Sequence, residues 1–298
     1  MLDRRIELLR MIAHLGTVTA AAHALYRSPS GVSRQIQDLS KELGVELLVP
    51  EGRRVRLTGP GQALVGYADR AHQMWEQIQE QLTESDEPAG EVTVVAHPSA
   101  VTTLLAPALP RLKKKYPELV MRIIEEQPPG SFNRLTTGEA DICLAAVEEG
   151  VPHRDDPRFQ QVEVTREPID ALVPRDHPLA PQESISLRDL ATEKWVVPAE
   201  GQAGHHEVMT ACRSAGFTPT VVHYAKEWSS VGALVAMSGA VSLTSRFAPD
   251  ATTEVVRVQL RGNPAPARQL TATTRAGAQE SKVILPVLDE IQSMIQGT

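Results

Sequence analysis

Two apolar rows at helical spacing lie close together near the start of the chain, between Thr17 and Gly44 (TVTAAAHALYRSPSGVSRQIQDLSKELG). In the first, Ala21, Ala22 and Leu25 form one small face, and Thr19 is placed to cap the helix. The second opens with Ser28 as N-cap and Pro29 at the first helical position, where a backbone N–H is not needed. Val32, Ile36, Leu39 and Leu43 then recur on one side, with Ser30, Ser33, Arg34, Gln37 and Lys41 on the other. The pattern predicts two helices joined by a tight polar turn, the second anchored on one face and open on the other. That layout suits a helix-turn-helix, although a small helical bundle can show the same periodicity.

Ile6, Leu8, Leu9, Ile12 and Leu15 predict an opening helix that covers this pair. Beyond Gly44, Val55 and Leu57 alternate with Arg54 and Arg56, which predicts a strand beside a basic turn. Arg53, Arg54 and Arg56 could serve a surface hairpin by solvation alone. Following a groove-reading helix, they are expected instead to meet phosphate or a minor groove. A long helix is predicted from Gln62 to about Leu82, with Leu64, Tyr67, Ala71, Met74 and Ile78 spaced 3, 4, 3 and 4 residues apart. Ala68, Trp75 and Leu82 flank that stripe. The small head offers little surface for so long a stripe, so pairing with a second copy is the expectation. TESDEPAG, Thr83–Gly90, reads as a hinge.

The remainder alternates strand and helix. EVTVVAHPS ends in Ser99, the expected cap of a helix from about Val101 to Lys114. Leu119–Glu125, a helix over Phe132–Thr137 and the apolar run Ala140–Val147 complete a βαβαβ unit with a covered parallel sheet. The pattern restarts near Arg166–Val173 and continues through KWVVP, a helix over His206–Ala215, VVHYA, a helix over Ser229–Met237 and AVSLTS. Gln269–Thr274 and Ile284–Ile295 predict a returning strand and a closing helix. Two α/β lobes joined by two crossings would leave a cleft for a small ligand.

Charge refines this division. The chain's net charge is -7, yet residues 1–60 hold 9 Lys/Arg against 6 Asp/Glu, a net of +3, which leaves -10 for the rest. A mildly basic head on an acidic body suits a local DNA contact. Two cysteines, Cys143 and Cys212, are too few for a disulfide scaffold. With no signal-length or membrane-length apolar run, a cytoplasmic location away from the membrane is expected. Neither a metal-ligand spacing nor a nucleotide-binding or GxSxG motif occurs in the chain. Cys143, inside a predicted strand, reads as core filling. No metal, cofactor or enzymatic activity is therefore expected.

Candidate ligand contacts fall where strands meet helix starts. Ser99, Thr102 and Thr103 offer hydroxyls at one, and Trp228 and Ser229 occupy the comparable place in the second lobe. Gln127, Glu200 and Gln202 are candidates from adjoining loops. Each hydroxyl also reads as an ordinary helix cap. Glu200 leaves room for a ligand amine, while a small organic acid is the first choice of effector.

The head motifs TVTAAAHAL, SPSGVSRQIQDLSKELGVELL and GRRVRLTGPGQAL resemble those of LysR-type transcriptional regulators. HPS, PALPRLKKKYPELVMRI, GEADICLAA, PIDALVPRDHPLA and LRDLA extend the resemblance over almost the whole chain. It implies an N-terminal winged helix-turn-helix, a long linker helix and a two-lobed α/β effector domain like a periplasmic binding protein. The corresponding boundaries are 1–58, 59–88 and 89–298, with lobe I at 91–164 and 268–298 and lobe II at 165–267. It further implies double-stranded promoter DNA, a small-molecule effector, self-association as dimer or tetramer, and RNA polymerase as a candidate partner. Ser30, Ser33, Arg34 and Gln37 match the groove-reading helix, and Arg53 and Arg54 the wing. Ser99 and Thr102 match the first-lobe effector edge, and Glu200 lies near the second-lobe edge. Three departures stand out. Pro29-Ser30 replaces the usual glutamine-containing pair, Gly59-Pro60 the usual Glu-Ala, and SGAVSLTS, Ser238–Ser245, a glycine-bearing segment. The second calls into question how stiffly the wing joins the linker helix. The alternatives are a solute-binding protein, which the DNA-binding head opposes, and a regulator whose body is only a structural or partner-binding module.

Overall fold

The computed structural model describes residues 3–52, 54–82, 87–147, 151–200, 204–246, 248, 252–262 and 265–296. The head comprises α1 (Arg4–Leu15), α2 (Val18–Ala24), α3 (Pro29–Leu43) and a hairpin of β1 (Leu48–Glu51) and β2 (Arg54–Leu57). Leu8, Leu9, Ile12, Ala21, Val32, Ile36, Leu39 and Leu47 form its core, so the predicted apolar rows converge on one centre. Leu43 is the exception, 46% exposed at the end of α3. The cap of α2 is Thr17 rather than Thr19: Thr17 is extended, and its Oγ1 accepts from Ala20 N at 3.0 Å, so the helix starts earlier. Ser28 caps α3 as expected, accepting from Gly31 N at 3.2 Å with Pro29 in the first turn.

The linker helix α4 (Gly59–Leu82) begins three residues before the apolar stripe suggested, because Gly59 and Pro60 are its first turn. At 24 residues it is about 36 Å long.

In the body, β3 (Gly90–Ala96) lies parallel to both β4 (Leu119–Glu125) and β5 (Ile142–Ala146). The helix after β3 is composite: α5 (Pro98–Ala100), a π-turn (Val101–Leu105) and α6 (Ala106–Lys115). Its cap is His97 rather than Ser99, the ring Nδ1 accepting from Ala100 N at 3.2 Å. A short helix α7 (Gly130–Thr137) connects β4 to β5. The long β6 (Phe159–Pro174) then joins two sheets. Its first part pairs with β12 (Ala267–Arg275), and its last part pairs with β10 (Ser242–Ser245) and β11 (Val255–Arg261). Between these lie β7 (Ser184–Ser186), β8 (Lys194–Pro198), α8 (His205–Ser214), β9 (Thr220–Ala225) and α9 (Trp228–Ser238). The closing helix α10 (Leu285–Gln296) covers the first lobe, whose core includes Val92, Leu112, Leu144 and Ile291. A separate core around Trp195, Val197, Leu190 and Leu243 fills the second.

Candidate DNA interface and effector cleft

The free face of α3 follows from its buried one. With Val32, Ile36 and Leu39 in the head core, Ser30, Arg34 and Gln37 are exposed and Ser33 is half-buried beside them. Such a row can reach base edges in a major groove. The turn before α3 carries Tyr26 in the left-handed region at φ 52, its side chain 90% exposed. In the wing, Glu51 pairs with Arg54 across a turn where Gly52 has φ 61. Arg53 and the Arg54 side chain lie outside the described residues.

The wing is fastened to α4. Thr58 Oγ1 donates to the Glu46 carbonyl at 2.5 Å and accepts from Gly61 N at 3.1 Å. A Cβ at Gly61 would stand 2.2 Å from the Leu47 carbonyl oxygen, so this approach requires glycine. The contacts that hold this joint come from Thr58 and Gly61, on either side of the Gly59-Pro60 departure. Farther along α4, Val65 and Ala68 pack into the head. Leu64 joins that packing in part. The predicted stripe is the neighbouring face: Tyr67 is 52% exposed, Met74 61% and Ile78 40%, with Ala71 half-buried among them.

The cleft lies between the lobes, where β3, β5 and β8 end and β12 begins. It encloses about 260 Å³ and is lined by residues of both lobes, among them His97, Ser99, Gln127, Glu207, Trp228 and Arg268. One polar chain runs from the crossing between the lobes into the first-lobe wall. Buried Glu167 pairs with Arg268, whose Nη2 donates to Ser99 Oγ at 3.0 Å, and Ser99 Oγ lies 3.0 Å from His97 Nδ1. Burial, aided by the Arg268 charge, lowers the His97 pKa to about 3, so its ring is neutral. Because Nδ1 accepts from the Ala100 amide, the ring proton is assigned to Nε2. From the second lobe, Glu207 stands in the first turn of α8. Burial raises its pKa, partly offset by Arg268.

The sequence matches the helix-turn-helix model of the bacterial lysR regulatory family over residues 4–62 and the LysR substrate binding domain over residues 85–296. The chain belongs to the LysR family of transcriptional regulators. It is a DNA-binding regulator with an effector-binding α/β domain, in a family of regulators rather than enzymes, for which dimers and tetramers are typical. The HTH-type transcriptional regulator CysB of Burkholderia cenocepacia is 30% identical over 209 residues, 69% of this chain and 65% of that protein, just under two thirds of its length. The transcriptional dual regulator GltC of Bacillus subtilis is 30% identical over 217 residues, 72% and 70% of the respective chains. The fold is similar to a full-length OxyR variant from Pseudomonas aeruginosa, with TM-score 0.66, 22% identity, and 99% and 95% of the two chains covered. It is also similar to CbnR complexed with its target DNA, with TM-score 0.58, 18% identity and 99% of both chains covered.

Within this LysR-family body, the cleft collects only part of the predicted set. Ser99, Gln127 and Trp228 line it. Thr102 and Thr103 do not: their hydroxyls donate back to the Ser99 carbonyl at 3.0 and 2.7 Å, as threonines inside a helix commonly do. Glu200 and Ser229 are exposed and outside the lining, and Gln202 lies outside the described residues. Sequence patterns do not single out His97, Glu207 or Arg268, which complete the lining. His97 is disguised as the residue before a Pro-Ser helix start, and Arg268 sits 169 positions from Ser99. Glu207 reads as an ordinary first-turn acid. The turn in the SGAVSLTS segment is supplied by Gly239, at φ 70 after α9. Cys143 and Cys212 are buried, and burial pushes both thiols up to about 12, which disfavours thiolate chemistry.

Proposed function

We propose that this regulator reads promoter DNA through Ser30, Ser33, Arg34 and Gln37 of α3, steadied by Arg53 and Arg54 of the wing. A small organic acid bound between the lobes changes that contact. The exposed row opposite the buried face of α3 carries the reading. Two copies, paired along α4, present two heads to two half-sites, with lobe contacts extending the dimer to a tetramer. The working units are 1–58, 59–88 and 89–298, and lobes 91–164 with 268–298 and 165–267 shift about the β6 and β12 crossings. RNA polymerase is the proposed downstream partner.

Fluorescence anisotropy with cognate and base-substituted duplexes tests the assignment. If Arg34 makes a bidentate guanine contact, Arg34→Ala costs about 1–3 kcal/mol per half-site and relaxes discrimination at one symmetric position. Arg54→Ala weakens cognate and unrelated DNA alike and reduces the log–log salt slope by about 0.9 for each phosphate it no longer neutralises. Unchanged specificity ratios in Arg34→Ala would remove it as the base reader.

A further inference from the structure

Two polar atoms in the cleft walls have no hydrogen-bond partner among the described residues: His97 Nε2 and Glu207 Oε1. Their residues belong to opposite lobes and line the same cavity. His97 is 7% exposed, and its Nδ1 is occupied by the Ala100 amide, so Nε2 is left as a buried donor. A buried donor without an acceptor and a half-buried carboxylate with one buried, donorless oxygen are each costly, and a ligand that supplies both complements, once the two side chains turn toward the cleft, relieves both.

The charges around them narrow that ligand. Arg268 is paired with Glu167, and Glu126 with Arg134. With those ion pairs set aside, the lining carries, among the described residues, Glu125, Glu207 and Glu227 against Lys226. A ligand of purely negative charge would enter a cleft with surplus carboxylates. A ligand bearing a cationic nitrogen as well as a carboxylate meets complementary groups on both walls. The helix starting at Pro98 begins beside His97 at the first-lobe wall, and its N-terminal end favours the carboxylate end.

We propose that the cleft takes a zwitterionic ligand of the α-amino acid class, its carboxylate accepting from His97 Nε2–H and its ammonium pairing with Glu207. This rests on the effector-responsive reading above and narrows the organic acid to one that also carries an ammonium group. Closing the lobes on such a molecule ties His97 of the first lobe to Glu207 of the second, which gives the ligand a preference for the closed arrangement.

The test uses the full chain and three sets of probes: the common L-α-amino acids, the matching 2-hydroxy acids, and the matching decarboxylated amines. Thermal shift followed by calorimetry should find an amino acid that binds saturably, with its hydroxy acid and its amine each at least tenfold weaker. Glu207→Gln, which retains shape and hydrogen bonding, should weaken the amino acid at least tenfold and leave the hydroxy acid within about twofold. His97→Gln should weaken the amino acid and the hydroxy acid together. No binding by any amino acid, equal binding of amino and hydroxy acid, or an unchanged Glu207→Gln variant overturns the inference. Operator-DNA anisotropy separates the two levels. A hydroxy acid that binds as well as its amino acid and alters operator affinity rejects the zwitterion and leaves the organic-acid regulator intact. If no probe and no organic acid alters operator affinity, the effector-responsive reading fails as well.

Discussion

His97 joins helix capping, acid sensitivity and ligand recognition in one side chain. Its Nδ1 closes the first turn of the helix at Pro98, and burial keeps the ring neutral, with a pKa lowered from 6.5 to about 3. Below pH 6.5 the unfolded chain binds a proton at this position while the folded chain does not. The stability associated with neutral His97 is therefore complete above pH 6.5 and lost as pH falls from there toward 3. Linkage gives a loss of about 2 kcal/mol at pH 5. Urea unfolding at pH 7 and pH 5 should show the His97→Gln variant losing about 2 kcal/mol less than the unsubstituted chain across that interval. Equal losses in both would mean that His97 titrates normally in the folded protein. At this same scale, Ser99 serves as a relay between Arg268 and His97, a role that its position near a helix start does not disclose.

Among the elements, α4 has two apolar faces with different destinations. Val65 and Ala68 are buried against the head, whereas Tyr67, Met74, Trp75 and Ile78 remain largely exposed along the neighbouring face. Exposed aromatic and aliphatic side chains in a row of this length fit a helix that meets its counterpart in a second copy. Replacing Ala71 and Met74 with glutamate puts carboxylates on that face and leaves the buried Val65 and Ala68 in place. Sedimentation velocity should show the double variant shifted to monomer, with circular dichroism unchanged and operator affinity reduced. A dimer that survives both substitutions would assign self-association to another surface. Thr58 and Gly61 make the joint below this helix close-fitting.

Across the whole molecule, the head touches the body through a polar contact. Arg158 Nη1 lies 2.8 Å from His14 Nδ1, while Arg158 also makes a two-pronged ion pair with Asp156. Asp69 of α4 approaches the other side of His14, 3.1 Å from Nε2, without forming a hydrogen bond. Desolvation first, then the charges of Arg158 and Arg10, lowers the His14 pKa to about 3. Head, linker helix and first lobe thus meet at one neutral histidine. Arg158→Ala removes the body's share of that meeting point. Hydrogen exchange should then be faster at the end of α1 and in α7, which pack together, with the second lobe unaffected. Unchanged exchange in α1 and α7 would show that Arg158 does not hold head and body together.

Periodicity determined most elements of this protein, because helix and strand patterns are local: Val32, Ile36 and Leu39 announce the buried side of α3 and therefore its open side. The two lobes were legible for the same reason, as was the apolar stripe that α4 leaves largely exposed. Caps were less legible, since Thr17 and Thr19, or His97 and Ser99, differ only in which backbone bend the surrounding structure selects. The cleft was the least legible. Its wall joins Ser99 to Arg268 and faces Glu207 from the other lobe, and no local spacing relates residues so far apart. Only the crossings of β6 and β12 bring them together, and only burial then makes an ordinary histidine neutral and raises an ordinary glutamate's pKa.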